Sequence, residues 1–441
     1  MVEDSSVSAA SAPALFHGSR EAYRFQDGLI VHELSVGSLR VDAAMAITTS
    51  REDPKGAWWL SYLMGVRPVA ARPASGKLHS VDLFCGLGGL ANGLRQLCAE
   101  IGVTVVPDLV VDQDEEATFV YAANHSSRRR SSSSVNKLID FCIRRSSKAT
   151  TFVYRPEIVD SELARVLDRV QLVLAGPPCQ GHSNLNNRTR RADPRNSLYL
   201  TVPAFAVAVG APMCIIENVP AILNDSEQVV QTAQLLFESE GYSVTTGMLS
   251  ASAMGWPQTR RRHFLVARRD RAPIPLPVIS EILRDDPRSL WWAIGELEDV
   301  VGGDFMHERT ELSEENQVRI DWLFDNDQYE LALHERPESH RGGTSYTAVY
   351  GRLRKDEPAP TITTGFMTPG RGRYTHPTRR RVLTAREAAR LQGLPDTYTL
   401  APDPANPPFR SQLAKWIGDA VPMPLGYAAA LSALGNGLPD T

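Results

Sequence analysis

Runs of apolar residues recur through the middle of the chain and alternate with stretches of helical period. Residues 105–111, 170–174, 213–216, 242–249 and 264–267 are short and mostly aliphatic, which predicts buried strands. Ser80-Val81-Asp82-Leu83 predicts another strand. It ends in a glycine-rich turn that opens a helix over 90–101, with Leu90, Leu94 and Leu97 on one face. An amphipathic helix is expected over 226–240. A further helix carries its own punctuation: Thr384 and Glu387 are spaced as a capping box, and Gly393 and Pro395 end it. An Ala/Leu-rich helix follows Pro422. Strand alternating with helix predicts an α/β fold built on a parallel sheet.

The flanks read differently. The first 20 residues are rich in Ser and Ala and are expected to be disordered at the start. From Tyr23 to about Pro73, the alternation in Gly28-Leu29-Ile30-Val31-His32 and the cluster Trp58-Trp59-Leu60 predict order without assignable chemistry. Residues 71–76 read as a linker, and the Ser/Arg-rich stretch 126–134 as a solvated basic loop. Residues 270–377 are rich in Pro, Gly and charge with weak periodicity, as expected of an inserted, loop-rich β-type domain.

A chain of 441 residues exceeds one ordinary domain, and 42% apolar content suits a soluble protein with a sizeable core. The net charge of −4 excludes a general polycation, so any nucleic-acid contact must come from local patches. Arg352, Arg354, Lys355, Arg371, Arg373 and Arg379-Arg380-Arg381 make such a patch, with few acids between them. A phosphate backbone is a fitting partner for it. The five cysteines are Cys85, Cys98, Cys142, Cys179 and Cys214, with no Cys-x-x-Cys. An odd, scattered set argues against a disulfide framework or structural zinc and for a reducing compartment. With no membrane-length apolar run and an acidic, polar start, a cytoplasmic protein away from membranes is expected.

The chemistry concentrates at predicted strand ends. Pro177 and Pro178 stop a strand and stiffen the backbone just before Cys179. Alone, that cysteine reads first as a buried thiol in a turn. Asp112 ends the second strand, where α/β folds hold a ribose, although acids also favour the helix start that follows. Glu217 ends the strand over 213–216. A thiol, a carboxylate and a glycine-rich turn therefore share one edge of one sheet.

Taken in order, six motifs resemble the cytosine-C5 DNA methyltransferase family. Phe84-Cys85-Gly86-Leu87-Gly88-Gly89 is similar to its S-adenosylmethionine motif, Pro177-Pro178-Cys179-Gln180 to its catalytic loop, and Glu217-Asn218-Val219 to its acidic motif. Gln258-x-Arg260-x-Arg262 resembles its arginine motif, 381–393 the motif before its final helix, and Gly418-Asp419-Ala420-Val421-Pro422 its closing cofactor motif. The match spans about 80–435 and leaves out residues 1–75 and 270–377; the latter sits where the family carries its target-recognition domain.

The resemblance implies a Rossmann-like S-adenosylmethionine-dependent methyltransferase fold with a smaller inserted target-recognition domain. An N-terminal extension over 1–75 would precede a catalytic domain over 76–269, a recognition region over 270–410 and a closing segment over 411–441. It implies methylation of C5 of a cytosine flipped out of duplex DNA. Cys179 would add to C6, Glu217 would donate at N3, and Arg262 would hold O2 with Arg260 as its partner. S-adenosylmethionine would lie over Phe84, Gly86, Gly88 and Gly89, with Asp112 on the ribose, Asp419 and Val421 beside it, and Glu157 or Asp160 at the adenine. Ser183 and Arg188, with Arg190, Arg191 and Arg195, would contact DNA, as would Arg371 and Arg373.

Double-stranded DNA is the implied partner, the enzyme is either the partner of a restriction endonuclease or an orphan, and a monomer near the nucleoid is the expected state. No metal is required. A tRNA cytosine methyltransferase and a non-catalytic DNA-binding relative are the alternatives. Three departures stand out: Asp419 replaces the family's Asn, His182 replaces its Phe, and residues 126–134 are inserted.

Overall fold

The computed structural model describes residues 19–48, 52–71, 76–146, 149–178, 198–300, 302–341 and 348–439. It opens with a β-meander. β1 (Arg20–Gln26), β2 (Leu29–Val36) and β3 (Leu39–Ala46) pair antiparallel in succession, and β4 (Val69–Ala70) adds to β3. Between β3 and β4 runs α1 (Pro54–Leu63), started by the Asp53 carboxylate, which accepts from the Gly56 N–H at 2.9 Å. Trp58, Trp59, Tyr62 and Leu63 of α1 are buried in the main core. Trp59 meets Trp256 and Tyr427 edge to face, with ring centroids 6.3 and 5.7 Å apart. At the β2–β3 turn, the Ser38 and Leu39 N–H groups donate to the Gly435 carbonyl at 2.9 and 3.0 Å.

The chain continues through β5 (Gly76–Leu83), α2 (Gly89–Glu100), β6 (Val103–Val111), α3 (Glu115–His125) and β7 (Arg130–Ser131). Two small ribbons then pair β8 (Ile139–Asp140) with β11 (Glu157–Ile158) and β9 (Ile143–Arg145) with β10 (Thr150–Phe152). There follow α4 (Ser161–Val166), β12 (Leu172–Ala175), α5 (Leu198–Ala208), β13 (Met213–Asn218), α6 (Val229–Ser239), β14 (Ser243–Ser250) and β15 (Arg261–Arg268).

Seven strands form the central sheet, in the order β14-β15-β13-β12-β5-β6-β7. Neighbours are parallel except that β15 runs against both β13 and β14. Leu172, Leu174, Met213, Ile215, Phe264 and Val266 face the side covered by α2. Val173, Ala175, Cys214, Ile216, Leu265 and Ala267 face the side covered by α5 and α6. Both faces are buried, which is why these strands are continuously apolar. The strand order reverses between β5 and β12. In an open parallel sheet that reversal leaves a crevice at the carboxyl ends of the two strands, where ligands bind.

Two segments differ from expectation. Residues 126–134 do more than loop through solvent, because β7 is one of the sheet's two edge strands. The buried Asp108 carboxylate draws the region in, with His79 at 2.7 Å, Arg128 at 3.1 Å and Arg169 at 3.2 Å, and Arg130 lies 3.7 Å over the Phe119 ring. Residues 270–377 are loop-rich but not β-type. They carry α7 (Leu276–Ile282), α8 (Leu290–Ile294), α9 (Glu314–Asp325) and α10 (Glu338–Arg341); among the described residues the strands are one short pair, β16 (Gly351–Arg352) and β17 (Arg373–Thr375). Leu276, Ile279, Leu290 and Ile294 are fully buried at helical spacing and extend the main core.

The chain closes with α11 (Ala385–Leu391), α12 (Arg410–Asp419) and α13 (Met423–Leu434), which lies against α2. The capping box forms as spaced: Glu387 N–H donates to Thr384 Oγ1 at 3.3 Å and Thr384 N–H to Glu387 Oε2 at 2.8 Å. Among the described residues no helix is long and apolar enough to cross a membrane.

Candidate active site

One half of the crevice is the turn after β5. The Cys85 N–H donates to the Val111 carbonyl at 3.1 Å, which fastens this turn to the end of β6. Phe84 takes a positive φ of 56°, an unusual conformation for a bulky side chain and one held here by the turn. The Gly86 N–H donates to the Asp112 carboxylate at 2.8 Å, and Asp114 N–H donates to the same carboxylate at 2.9 Å. Burial raises the pKa of Asp112 against those two donors.

Gly88, at φ 95°, packs so closely on His125 that an added Cβ would lie 2.6 Å from its Nε2. A Cβ on Gly89 would lie 2.7 Å from the Val421 carbonyl oxygen, so the closing segment sits directly on the turn. Asp114, the N-cap of α3, also accepts from Trp416 Nε1 at 2.9 Å and ties α12 to the same place.

The other half is built at the ends of β12, β13 and β15. Gly176 N–H donates to the Leu83 carbonyl at 3.2 Å, joining the two strands at the switch point. Asn218 Nδ2 donates to the Pro177 carbonyl at 3.1 Å and is almost fully buried. It holds the backbone that leads to Cys179. Glu217 is 8% exposed, and Arg262 Nε lies 2.8 Å from its Oε1. The pKa of Glu217 is raised because burial outweighs the attraction of Arg262 and Arg260. A Cβ on Gly176 would lie 3.7 Å from Glu217 Oε2 and 3.8 Å from the Phe84 carbonyl oxygen, so both halves meet at this point.

Arg260 is 2% exposed and donates to the carbonyls of Ile362 at 2.7 Å, Gly418 at 2.9 Å and Asp419 at 3.5 Å. It fastens the closing segment and residue 362 to the start of β15.

A family model for C-5 cytosine-specific DNA methylases matches residues 78–433. The chain belongs to that family. This methylase is 37% identical over 359 residues to the Type II methyltransferase M1.BsuMI of Bacillus subtilis, covering 81% of this chain and 80% of the relative. It is 29% identical over 370 residues to the Type II methylase M.HgiDII of Herpetosiphon aurantiacus, covering 80% and 94%. Among solved structures, a putative DNA modification methyltransferase encoded within an E. coli prophage matches with a TM-score of 0.51 at 21% identity, over 80% of this chain and 97% of that one. The methylase has the class I S-adenosylmethionine-dependent methyltransferase fold.

Of the residues anticipated from sequence, the structure of the methylase gathers Phe84, Gly86, Gly88, Gly89, Asp112, Glu217, Arg262 and Val421 around the crevice. Arg260 stands behind them with its donors on backbone carbonyls. The Asp419 side chain is more than half exposed and pairs with Lys415 at 3.2 Å. Cys179, His182, Ser183, Arg188, Arg190, Arg191 and Arg195 lie outside the described residues.

Asp160 caps α4, accepting from Glu162 and Leu163 N–H at 2.8 and 3.2 Å, while Glu157 is exposed on β11. The basic stretch is less free than its sequence implies. Acids between 298 and 330 meet it in space: Arg352 pairs with Asp327, Arg373 with Glu330, Arg379 with Glu298 and Asp299, and Arg380 with Asp321 and Asp325. Arg371 is exposed and has no carboxylate partner among the described residues.

Asn218, Gln258 and Gln392 lie inside the motifs, and their sequence alone gives them no task. Gln258 Nε2 donates to the Leu391 carbonyl at 2.8 Å and to Gln392 Oε1 at 3.1 Å, and Gln392 Nε2 donates to the Ile417 carbonyl at 2.6 Å. These buried amides join the strand edge to α11 and α12. Each amide lies within two residues of a charged motif residue, the one sequence feature they share.

Proposed function

We propose that this methylase transfers a methyl group from S-adenosylmethionine to C5 of a cytosine flipped out of duplex DNA, through a covalent adduct between Cys179 and C6. The observation that carries the reading is Glu217, buried with a raised pKa 2.8 Å from Arg262, beside a strand end held by Asn218.

The residues present fit the cofactor. A Cβ on Gly86 would meet nothing within 4 Å, so there is open space over the turn. Asp112 offers a carboxylate at the end of β6, where a ribose is held, and Phe84 and Val421 complete the surround. When bound, S-adenosylmethionine supplies the electrophilic methyl group.

C5 of cytosine is a poor nucleophile. Addition of the Cys179 thiolate to C6 places negative charge on the ring and makes C5 reactive. A protonated Glu217 donates to N3 and holds the 4-amino group, and its raised pKa keeps that proton available. Arg262 orients Glu217 and holds O2 of the base. Once C5 is methylated its proton passes to water, the C6–S bond breaks to release the Cys179 thiolate, and N3 returns its proton to Glu217, which restores the aromatic ring. Arg260 is a positioning residue that keeps the closing segment over the cofactor turn. Ser183, Arg188 and Arg371 are proposed to contact the phosphate backbone and help offset the few kcal/mol of unstacking. The named Type II relatives support a modification role paired with a restriction endonuclease of the same target sequence.

Incubation with tritiated S-adenosylmethionine and duplex DNA tests the reading. Label is expected in duplex, and a duplex carrying 5-fluorocytosine should trap the wild type but not Cys179→Ala. Label in tRNA alone, or methylation by Cys179→Ala, would overturn it. Bisulfite sequencing of DNA from expressing cells would report the target sequence.

A further inference from the structure

Buried and half-buried arginines in this protein are mostly answered by carboxylates. Arg268 has Asp270, Arg288 has Asp53 and Asp285, Arg381 has Glu387, and Arg390 has Glu296 and Asp396. Arg95, half-buried, breaks the pattern, as does Arg260, which backbone carbonyls answer, and the exposed Arg67 stands beside Arg95. Arg67 and Arg95 line one pocket together with Tyr62, His125, Thr397 and Tyr398, and among the described residues no Asp or Glu lines it. Arg95, half-buried on α2, donates to the His125 carbonyl at 3.5 Å and has no ion pair among the described residues. Arg67, in the turn between α1 and β4, has neither hydrogen bond nor ion pair among them.

The two cations also act on each other. The pKa of Arg95 is lowered, by burial first, with Arg67 contributing in the same direction. His125, on the same wall, is pushed well below the imidazole range by burial, then by Arg95 and Arg67, and so adds no positive charge of its own. A half-buried guanidinium with a second cation lining the same pocket and no carboxylate there is unfavourable, and a bound anion lowers that cost.

We propose that this pocket is a phosphate-binding site, with Arg67 and Arg95 as its paired cationic ligands and the Thr397 hydroxyl as a neutral donor. Guanidinium forks suit a tetrahedral oxyanion, because each can make two parallel hydrogen bonds to it. The site is distinct from the crevice at β5 and β12. It lies behind the glycine turn, since Tyr398 donates from its hydroxyl to the Leu87 carbonyl and His125 packs on Gly88. Arg67 comes from the N-terminal segment, outside the residues matched by the family model. The segment without assigned chemistry would thus supply one of the two ligands.

The phosphate has two sources, the backbone of bound duplex and a free phosphate monoester. Calorimetric titration of the full chain with inorganic phosphate, at ionic strength held constant with chloride, tests the site. Saturable one-site binding is expected, weakened at least about tenfold in both Arg67→Ala and Arg95→Gln and partly restored in Arg67→Lys, as lost charge-assisted hydrogen bonds require. Melting curves in chloride check that each variant folds; Arg67 is exposed, so its removal leaves the core intact.

A short duplex added as competitor distinguishes the sources. If the duplex displaces phosphate, and the salt dependence of duplex binding drops by about two charges in the double variant, the ligand is the DNA backbone. If the duplex neither displaces phosphate nor loses affinity, the ligand is a free monoester. Either result keeps the site. Equal phosphate binding in wild type and both variants, or no binding beyond that of chloride, overturns it.

Discussion

Glu217 shows how one residue's environment sets its chemistry. Two arginines act on it, yet burial wins and its pKa is raised. A raised carboxyl keeps its proton to higher pH than an ordinary glutamate and loses it as pH climbs through the shifted value. Methylation rate should therefore fall on the alkaline side for the wild type. Glu217→Gln should be slower throughout but lose that limb, and Glu217→Ala should cost roughly 10²–10⁴-fold in kcat. Single-turnover methylation across a pH series reads all three. Asn218 acts one step back, through Pro177. Asn218→Ala leaves a buried carbonyl unpaired and frees the strand end; kcat is expected to drop about a hundredfold with little change in KM for DNA. An equal loss in binding would point to a general folding defect.

At the scale of elements, a buried ionic knot joins the meander to the catalytic core. His32 on β2 lies 3.1 Å from Glu100 on α2 and 3.5 Å from Glu21 on β1. Tyr427 on α13 donates to Glu100 at 2.7 Å, and Lys55 on α1 reaches Glu21 at 2.6 Å. Burial alone would lower the His32 pKa; Glu100 and Glu21 raise it to about 9. Its contribution is therefore fully present below the unfolded value near 6.5 and is lost as pH rises through about 9. Glu21 is lowered, so its share is present above about 4.5 and lost in acid. His32→Gln should cost about 3–5 kcal/mol at pH 6, as breaking a buried pair does, and clearly less at pH 10. Melting curves at the two pH values check this.

The capping box is a smaller matter: Thr384→Ala should cost about 1 kcal/mol in a denaturant titration.

These elements also mark where sequence reading succeeded and where it stopped. The central strands were legible because both faces are buried and the apolar run is unbroken. The capping box was legible because its two bonds span three residues. The knot was not, because His32 and Glu100 are 68 positions apart and neither carries a local pattern. Within 270–377, α7, α8 and α10 were hidden by their length, since four to seven residues give too few turns to show a period. The neutralised arginines of 352–380 were misread for a related reason: their acids lie elsewhere in the chain. Within the site, Glu217 and Arg262 were legible as motif residues, whereas the support given by Asn218, Arg260 and Gln258 appears only in three dimensions.

For the whole molecule, the matched family span and the folding unit are not the same thing. The match begins at 78, but Trp58, Trp59, Tyr62 and Leu63 are core residues. A chain begun at residue 76 would bare the surfaces of Trp256 and Tyr427 that Trp59 covers. It should lose cooperative melting and become protease-sensitive relative to the full chain. Limited proteolysis and calorimetry would distinguish them.

The seam between β3 and the end of α13 has one more consequence. Ser38 and Leu39 hydrogen-bond to Gly435, and Val421 closes over Gly89. On the ribosome, the early turn and the glycine loop must wait for partners made nearly four hundred and more than three hundred residues later. Domains usually fold as units during synthesis, and contacts so distant along the chain form slowly. A nascent chain cannot complete the pocket before Val421 has emerged, so the glycine turn stays uncovered while the more than three hundred residues between them are made.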